Sequence, residues 1–214
     1  MLSTLVPYRQ KPYHGRFVDF FDIRQEEMTA MKLESGWLSA AKKVPSAHFN
    51  ERPDEVVPRL LVIHNISLPP GQFGGPWIDQ LFTGTLSPEA HPYFQEIAHL
   101  KVAAHCLIRR DGEIVQYVAF DKRAWHAGQS SYQGEDNCND FSIGIELEGT
   151  DTEPYTDEQY QSLCRVTETL MRCYSIKAED ITGHSDIAPG RKTDPGESFD
   201  WARYRHEIDV KTTS

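Results

Sequence analysis

The chain has 214 residues, and at 39% apolar, 11% aromatic and 25% charged it can bury a real core, which excludes a disordered polymer and fits one domain, or one domain with a tail. Thirty-two acidic against 22 basic residues leave a formal charge of −10, which repels a phosphate backbone and an anionic bilayer and argues against nucleic-acid or membrane partners. The longest aliphatic stretch, Leu60-Leu61-Val62-Ile63, is far short of the roughly 20 apolar residues of a bilayer span.

Residues 1–30 mix aromatics, charges and prolines without periodicity, and Met1 to Gln10 has neither the basic start nor the apolar stretch of a secretory signal. They read as a loosely attached extension ahead of a domain at 31–214, or else as a terminal element packed through Phe17, Val18, Phe20, Phe21 and Ile23. The run Leu60 to Ile63 predicts a buried central strand whose polar exit is His64-Asn65. Pro76 suits the first turn of a short helix through Trp77, Ile78, Leu81 and Phe82 to Gly84. Ala104 to Ile108, Asp111-Gly112 and Ile114 to Val118 predict a β-hairpin with a type I′ turn. Ser142 to Leu147 alternates, placing Ile143, Ile145 and Leu147 on one face and Gly144 and Glu146 on the other.

Thr156 and Gln159 form a capping-box pattern ahead of a helix over 157–174, with Tyr160, Leu163, Thr167, Leu170, Met171 and Tyr174 at helical spacing. Cys164 and Cys173 share this helix nine residues apart, or about 13 Å along the axis, too far for a disulfide. Cys106 and Cys138 stand in unrelated contexts, so four scattered thiols point to a reducing cytoplasm. Ile181-Thr182-Gly183 is a second strand exit, delivering His184. Strands interleaved with helices and a hairpin predict an α/β domain with a mixed central β-sheet flanked by helices.

His64 and His184 both sit where a strand ends, and the Pro- and Gly-rich loop from Ser185 to Gly196 is long enough to double back and bring Asp194 to them. Two imidazoles and one carboxylate suit a catalytic zinc, with a fourth position left for water. Zinc makes neutral-pH amide hydrolysis feasible. Glu146, on the polar face of its strand, is then the candidate general base, and Lys192 the candidate oxyanion stabiliser. Each has a plain alternative: a hydrogen-bonded strand-end histidine at 64, an ion-pair partner at 146, a solvated loop at Arg191-Lys192.

The segments LLVIHNISLPPGQFGGPWIDQLFTGTL, AAHCLIRRDGEIVQYVAFDKRAWHAGQS, NDFSIGIELEGTD and TGHSDIAPGRKTDPGESFDWARYR together resemble the zinc N-acetylmuramoyl-L-alanine amidases, in particular those cleaving 1,6-anhydro-N-acetylmuramyl-L-alanine in the cytoplasm of Gram-negative bacteria. The resemblance runs from about Met31 to about Arg205. It implies a fold like that of phage-lysozyme amidases and peptidoglycan-recognition proteins. It also implies a zinc triad of His64, His184 and Asp194, with Glu146 and Lys192 catalytic, and no member of this set is missing. The implied reaction is hydrolysis of the amide between the lactyl group of anhydro-muramic acid and L-alanine during peptidoglycan recycling, by a monomer acting on a small-molecule muropeptide.

Substrate contacts are expected from Asn65, Lys101, Trp125, His126 and Arg191, with Arg109 and Arg110 as further partners for peptide carboxylates. At position 101 the family pattern has arginine, and lysine lacks its bidentate fork. His105 is expected to be packing, and His14, His48, His91, His99 and His206 surface or structural. Two other readings are a muropeptide sensor without turnover and an amidase acting on intact wall.

Overall fold

The aliphatic run from Leu60 forms the strand on which the fold is built. This computed structural model describes residues 31–53 and 56–212; the extension expected at 1–30 lies outside them. The elements of the main layers in chain order are β1 (Lys42–Lys43), β2 (Leu60–Ile66), α1 (Trp77–Thr83), α2 (Phe94–Ile97), β3 (Cys106–Ile108), β4 (Ile114–Gln116), β5 (Ser142–Glu148), α3 (Asp157–Tyr174), β6 (Ile181–Gly183), α4 (His184–Ile187) and α5 (Trp201–Thr212). The sheet has the strand order β6-β2-β5-β3-β4-β1. Its pairs are parallel except for the β3–β4 hairpin, so the sheet is mixed, as the sequence predicts.

β2 is apolar throughout its first four residues because both of its faces are covered. On one face Leu61 and Ile63, with Ile143, Ile145 and Leu147 of β5, pack under α3 and α5 through Leu163, Val166, Leu170, Tyr204 and Ile208. Burying each such side chain contributes about 1.5–3 kcal/mol. On the other face Leu60 and Val62 meet Ala127, Cys138, Phe141 and Ile187. A third cluster joins α1 and α2 to Leu107, Val115 and Tyr117.

α3 begins with the expected capping box, Gln159 N–H donating to Thr156 Oγ1 at 3.1 Å and Thr156 N–H to Gln159 Oε1 at 3.1 Å. α1 ends on Gly84 at φ +72°, the left-handed stop that glycine allows. The hairpin turn departs from expectation. Only Gly112 has a positive φ, and its N–H donates to Arg109 O at 2.9 Å while Arg109 N–H donates to Glu113 O at 2.9 Å. This is a type I turn closed by a glycine bulge rather than a type I′ turn. Asp111 avoids the left-handed region by accepting from Glu113 N–H at 3.0 Å. No helix among the described residues is long and apolar enough to cross a membrane.

Candidate metal centre

Parallel pairing brings the carboxyl ends of β2, β5 and β6 to one edge of the sheet, where ligands of α/β folds gather. Register does the rest: Glu146 lies opposite His64, and Gly183 opposite Ile63, so His184 follows directly beside His64. The loop after α4 doubles back as expected. Ser185 N–H donates to Asp194 O at 3.0 Å, and the Tyr155 hydroxyl donates to Pro195 O at 2.7 Å.

His64 Nδ1 and His184 Nδ1 stand 2.9 Å apart, and Asp194 Oδ2 is 3.0 Å from each. These three atoms form a group able to hold a metal ion. The opposite ring nitrogens are committed elsewhere. His184 Nε2 donates to Ala127 O at 3.0 Å, and His64 Nε2 lies 2.9 Å from His126 Nδ1. When both rings carry their protons on Nε2, the two Nδ1 lone pairs face inward beside a carboxylate, the donor set a metal of intermediate softness takes.

Burial, followed by the charge of His184, lowers the pKa of His64 to about 4 against the pull of Asp194. Burial alone would raise Asp194, but hydrogen bonds from His184 and His64 prevail and hold its carboxyl below the usual carboxylate range. At neutral pH His64 is a neutral imidazole and Asp194 a carboxylate, the states that metal ligation needs.

Glu146 reaches the same cleft from β5. Its Oε2 is sealed from solvent with no hydrogen-bond partner. Burial and then the charge of Asp194 push its pKa well above the ordinary carboxylate value, opposed by Lys192. A buried carboxyl perturbed in this way, at a cleft, has the character that acid–base chemistry requires. Lys192 lines the cleft, which holds about 390 Å³.

The expected substrate contacts divide. Asn65 and Trp125 line the cleft. Asn65 is aimed by its Nδ2 donating to Asp151 Oδ1 at 2.8 Å. Trp125 is held by its Nε1–H on Asn50 Oδ1 at 2.6 Å and by stacking with His48 at 6.1 Å between ring centroids. His126 also lines the cleft, next to His64, with its second nitrogen 3.1 Å from Ser142 Oγ. Lys101 is exposed between Leu100 and Val102, which line the cleft while it does not. Arg191 commits its guanidinium to Ala127 O and Gln129 O at 2.7 and 2.6 Å, outside the cleft. Arg109 is ion-paired with Asp79 at 2.8 Å, and both it and Arg110 line a separate cleft of about 650 Å³. His105 is buried packing, its Nδ1 accepting from Gly144 N–H at 3.1 Å.

Sequence reasoning missed the supports behind the site. Arg52 donates to the carbonyls of Asn139, Asp140, Phe120 and Ser142 at 2.8 to 3.1 Å. Gly196, two residues after Asp194, has φ +81°, and a Cβ there would meet Asp151 Cα at 2.1 Å. Gly196→Ala is therefore expected to cost about 1–3 kcal/mol and to lower the urea midpoint; an unchanged midpoint would show that the loop is not clamped there.

A model of the family described as N-acetylmuramoyl-L-alanine amidase matches residues 53–197. The 1,6-anhydro-N-acetylmuramyl-L-alanine amidase AmpD of Escherichia coli (strain K12) is 69% identical over 183 residues, covering 86% of this chain and 100% of that protein. The crystal structure of a selenomethionine AmpD derivative aligns with a TM-score of 0.82 at 69% identity, over 83% of this chain and 99% of that one. The complex of the E. coli N-acetylmuramyl-L-alanine amidase AmiD with the substrate anhydro-N-acetylmuramic acid-L-Ala-D-gamma-Glu-L-Lys aligns at 0.53 and 28% identity, over 73% of this chain and 60% of that one.

Proposed function

This chain belongs to the N-acetylmuramoyl-L-alanine amidase family, and from that membership we propose that it hydrolyses the amide between the lactyl group of 1,6-anhydro-N-acetylmuramic acid and L-alanine in muropeptides, for peptidoglycan recycling. The observation that carries this reading is the meeting of His64, His184 and Asp194 at a cleft that His184, Asp194 and Glu146 line together.

The ion we assign to the triad is zinc, which His64, His184 and Asp194 would hold. When bound, zinc polarises a carbonyl and lowers the pKa of water toward about 7. Glu146 takes the proton of the attacking water on its carboxylate and later passes it to the departing alanine nitrogen. Lys192 places its ammonium against the oxygen that becomes negative on attack. Asn65 and Trp125 form the wall against which the muropeptide lies, and its anionic groups find Lys192 despite the chain's overall acidity.

Every group named lies beyond Met31 in a single chain, so we propose that residues 31–214 suffice and that a monomer is competent. Four cysteine thiols, three of them buried, suit a reducing interior, and we place the reaction in the cytoplasm.

Lys192→Met is expected to lower kcat by about 10²–10³-fold with KM little changed; steady-state kinetics with an unaltered kcat would remove Lys192 from the chemistry. The function itself is tested by mass spectrometry after incubation with a 1,6-anhydro-muropeptide. Free stem peptide is the expected product, and binding without release would overturn the proposal in favour of a sensor.

A further inference from the structure

The two histidines of the triad are braced from behind by consecutive residues. His184 Nε2 gives its proton to the main-chain carbonyl of Ala127 at 3.0 Å. His64 Nε2 instead meets a side chain, His126 Nδ1, at 2.9 Å. Since His64 Nδ1 faces Asp194 and His184, a neutral His64 that ligates through Nδ1 carries its proton on Nε2. His126 Nδ1 must then accept, and His126 keeps its own proton on Nε2, 3.1 Å from Ser142 Oγ.

The seat of this ring is built rather than incidental. A Cβ at position 144 would lie 2.4 Å from His126 Cγ and Nδ1, so the ring occupies the space left by Gly144 on β5. Asn139 Oδ1 accepts from both His126 N–H and Ala127 N–H, at 3.1 and 2.8 Å. One buried amide thereby sets the position of both braces. We propose that His126, seated by Gly144 and Asn139, is a positioning residue that locks His64 in the Nε2–H tautomer, with its Nδ1 lone pair free for the metal.

The inference rests on the triad reading. Without an acceptor at position 126 the His64 ring samples both tautomers, and the fraction able to ligate falls. Loss of an outer hydrogen-bond partner typically costs metal affinity about 10–100-fold. The test uses the full chain as wild type, His126→Asn, His126→Phe and His126→Leu. Asparagine keeps an acceptor oxygen where Nδ1 stood, whereas phenylalanine and leucine remove it with different shapes, so a fold lost in one leaves the other to be read.

Zinc affinity is measured by competition with a chelator, and the His64 Nε2–H signal is followed by ¹⁵N NMR of the zinc-loaded chain. The expected result is an affinity about 10–100-fold weaker in the phenylalanine and leucine variants, with the Nε2–H signal lost to exchange, and recovery of both in the asparagine variant. Wild-type affinity without an acceptor, or an asparagine variant as weak as phenylalanine, would overturn the role of His126. A wild-type chain that binds no zinc would overturn the triad, and this inference with it.

Discussion

Asp194→Ala is expected to lose metal and turnover together, with kcat/KM falling by about 10³-fold or more, since a catalytic metal supplies several kcal/mol of transition-state stabilisation. The carboxylate is the one formal charge among the three ligands, and it accepts from or faces both rings through a single oxygen at 3.0 Å. Removing it leaves two neutral imidazoles, which hold a divalent cation poorly. The loop should survive, because its main chain is fixed independently through Ser185 N–H on Asp194 O and the Tyr155 hydroxyl on Pro195 O. Circular dichroism of the variant should therefore match wild type while its metal content collapses. A variant that keeps a full equivalent of metal and the wild-type rate would remove Asp194 from the site.

The second large effect belongs to Glu146. Glu146→Gln is expected to reduce kcat by about 10²–10⁴-fold with metal retained, and at the same time to raise the melting temperature of the metal-free chain at neutral pH. The sign follows from burial. The folded state raises the pKa of Glu146, so between its unfolded and folded values the native chain binds more protons than the unfolded one, and stability falls as pH rises through that window. Glutamine cannot ionise, so its advantage is fully present above the window and shrinks as the pH is lowered toward the ordinary carboxylate range. Thermal melts of both proteins across pH test this. Coincident melting curves at neutral pH, or an undiminished kcat, would contradict the role of Glu146 as a buried proton carrier.

How far the site could be read before folding depends on the kind of group involved. His64 was legible because a histidine at the exit of an aliphatic strand has a defined place, and Glu146 because it shares a strand face with a glycine between buried isoleucines. Asp194 was legible only as a possibility of loop geometry: it is 130 residues from His64, and no local pattern dictates that closure. Ala127 was not legible at all, since it acts through a carbonyl that every residue possesses. His126 was visible as a histidine near a tryptophan, yet its position behind His64 depends on the empty side of Gly144, which is a property of the assembled sheet.

The same holds for the fold. α3 announces itself through a capping box and an apolar stripe, whereas α5 buries Tyr204 and Ile208 among charged neighbours and offers little periodicity. β1 is two lysines at the sheet edge, a composition that blunts edge pairing and hides a strand from pattern reading. Arg191 shows the opposite case: a cation in the loop that carries Asp194 invites a substrate role, while in the structure main-chain carbonyls at 127 and 129 hold its guanidinium.

On the proposed function, His64, His184 and Asp194 together grip one zinc ion. Crystals of the chain purified with zinc, measured on both sides of the zinc absorption edge, test it directly. A single anomalous peak about 2.0–2.2 Å from His64 Nδ1, His184 Nδ1 and Asp194 Oδ2 is the predicted result. A peak elsewhere, or none at that point, would contradict it.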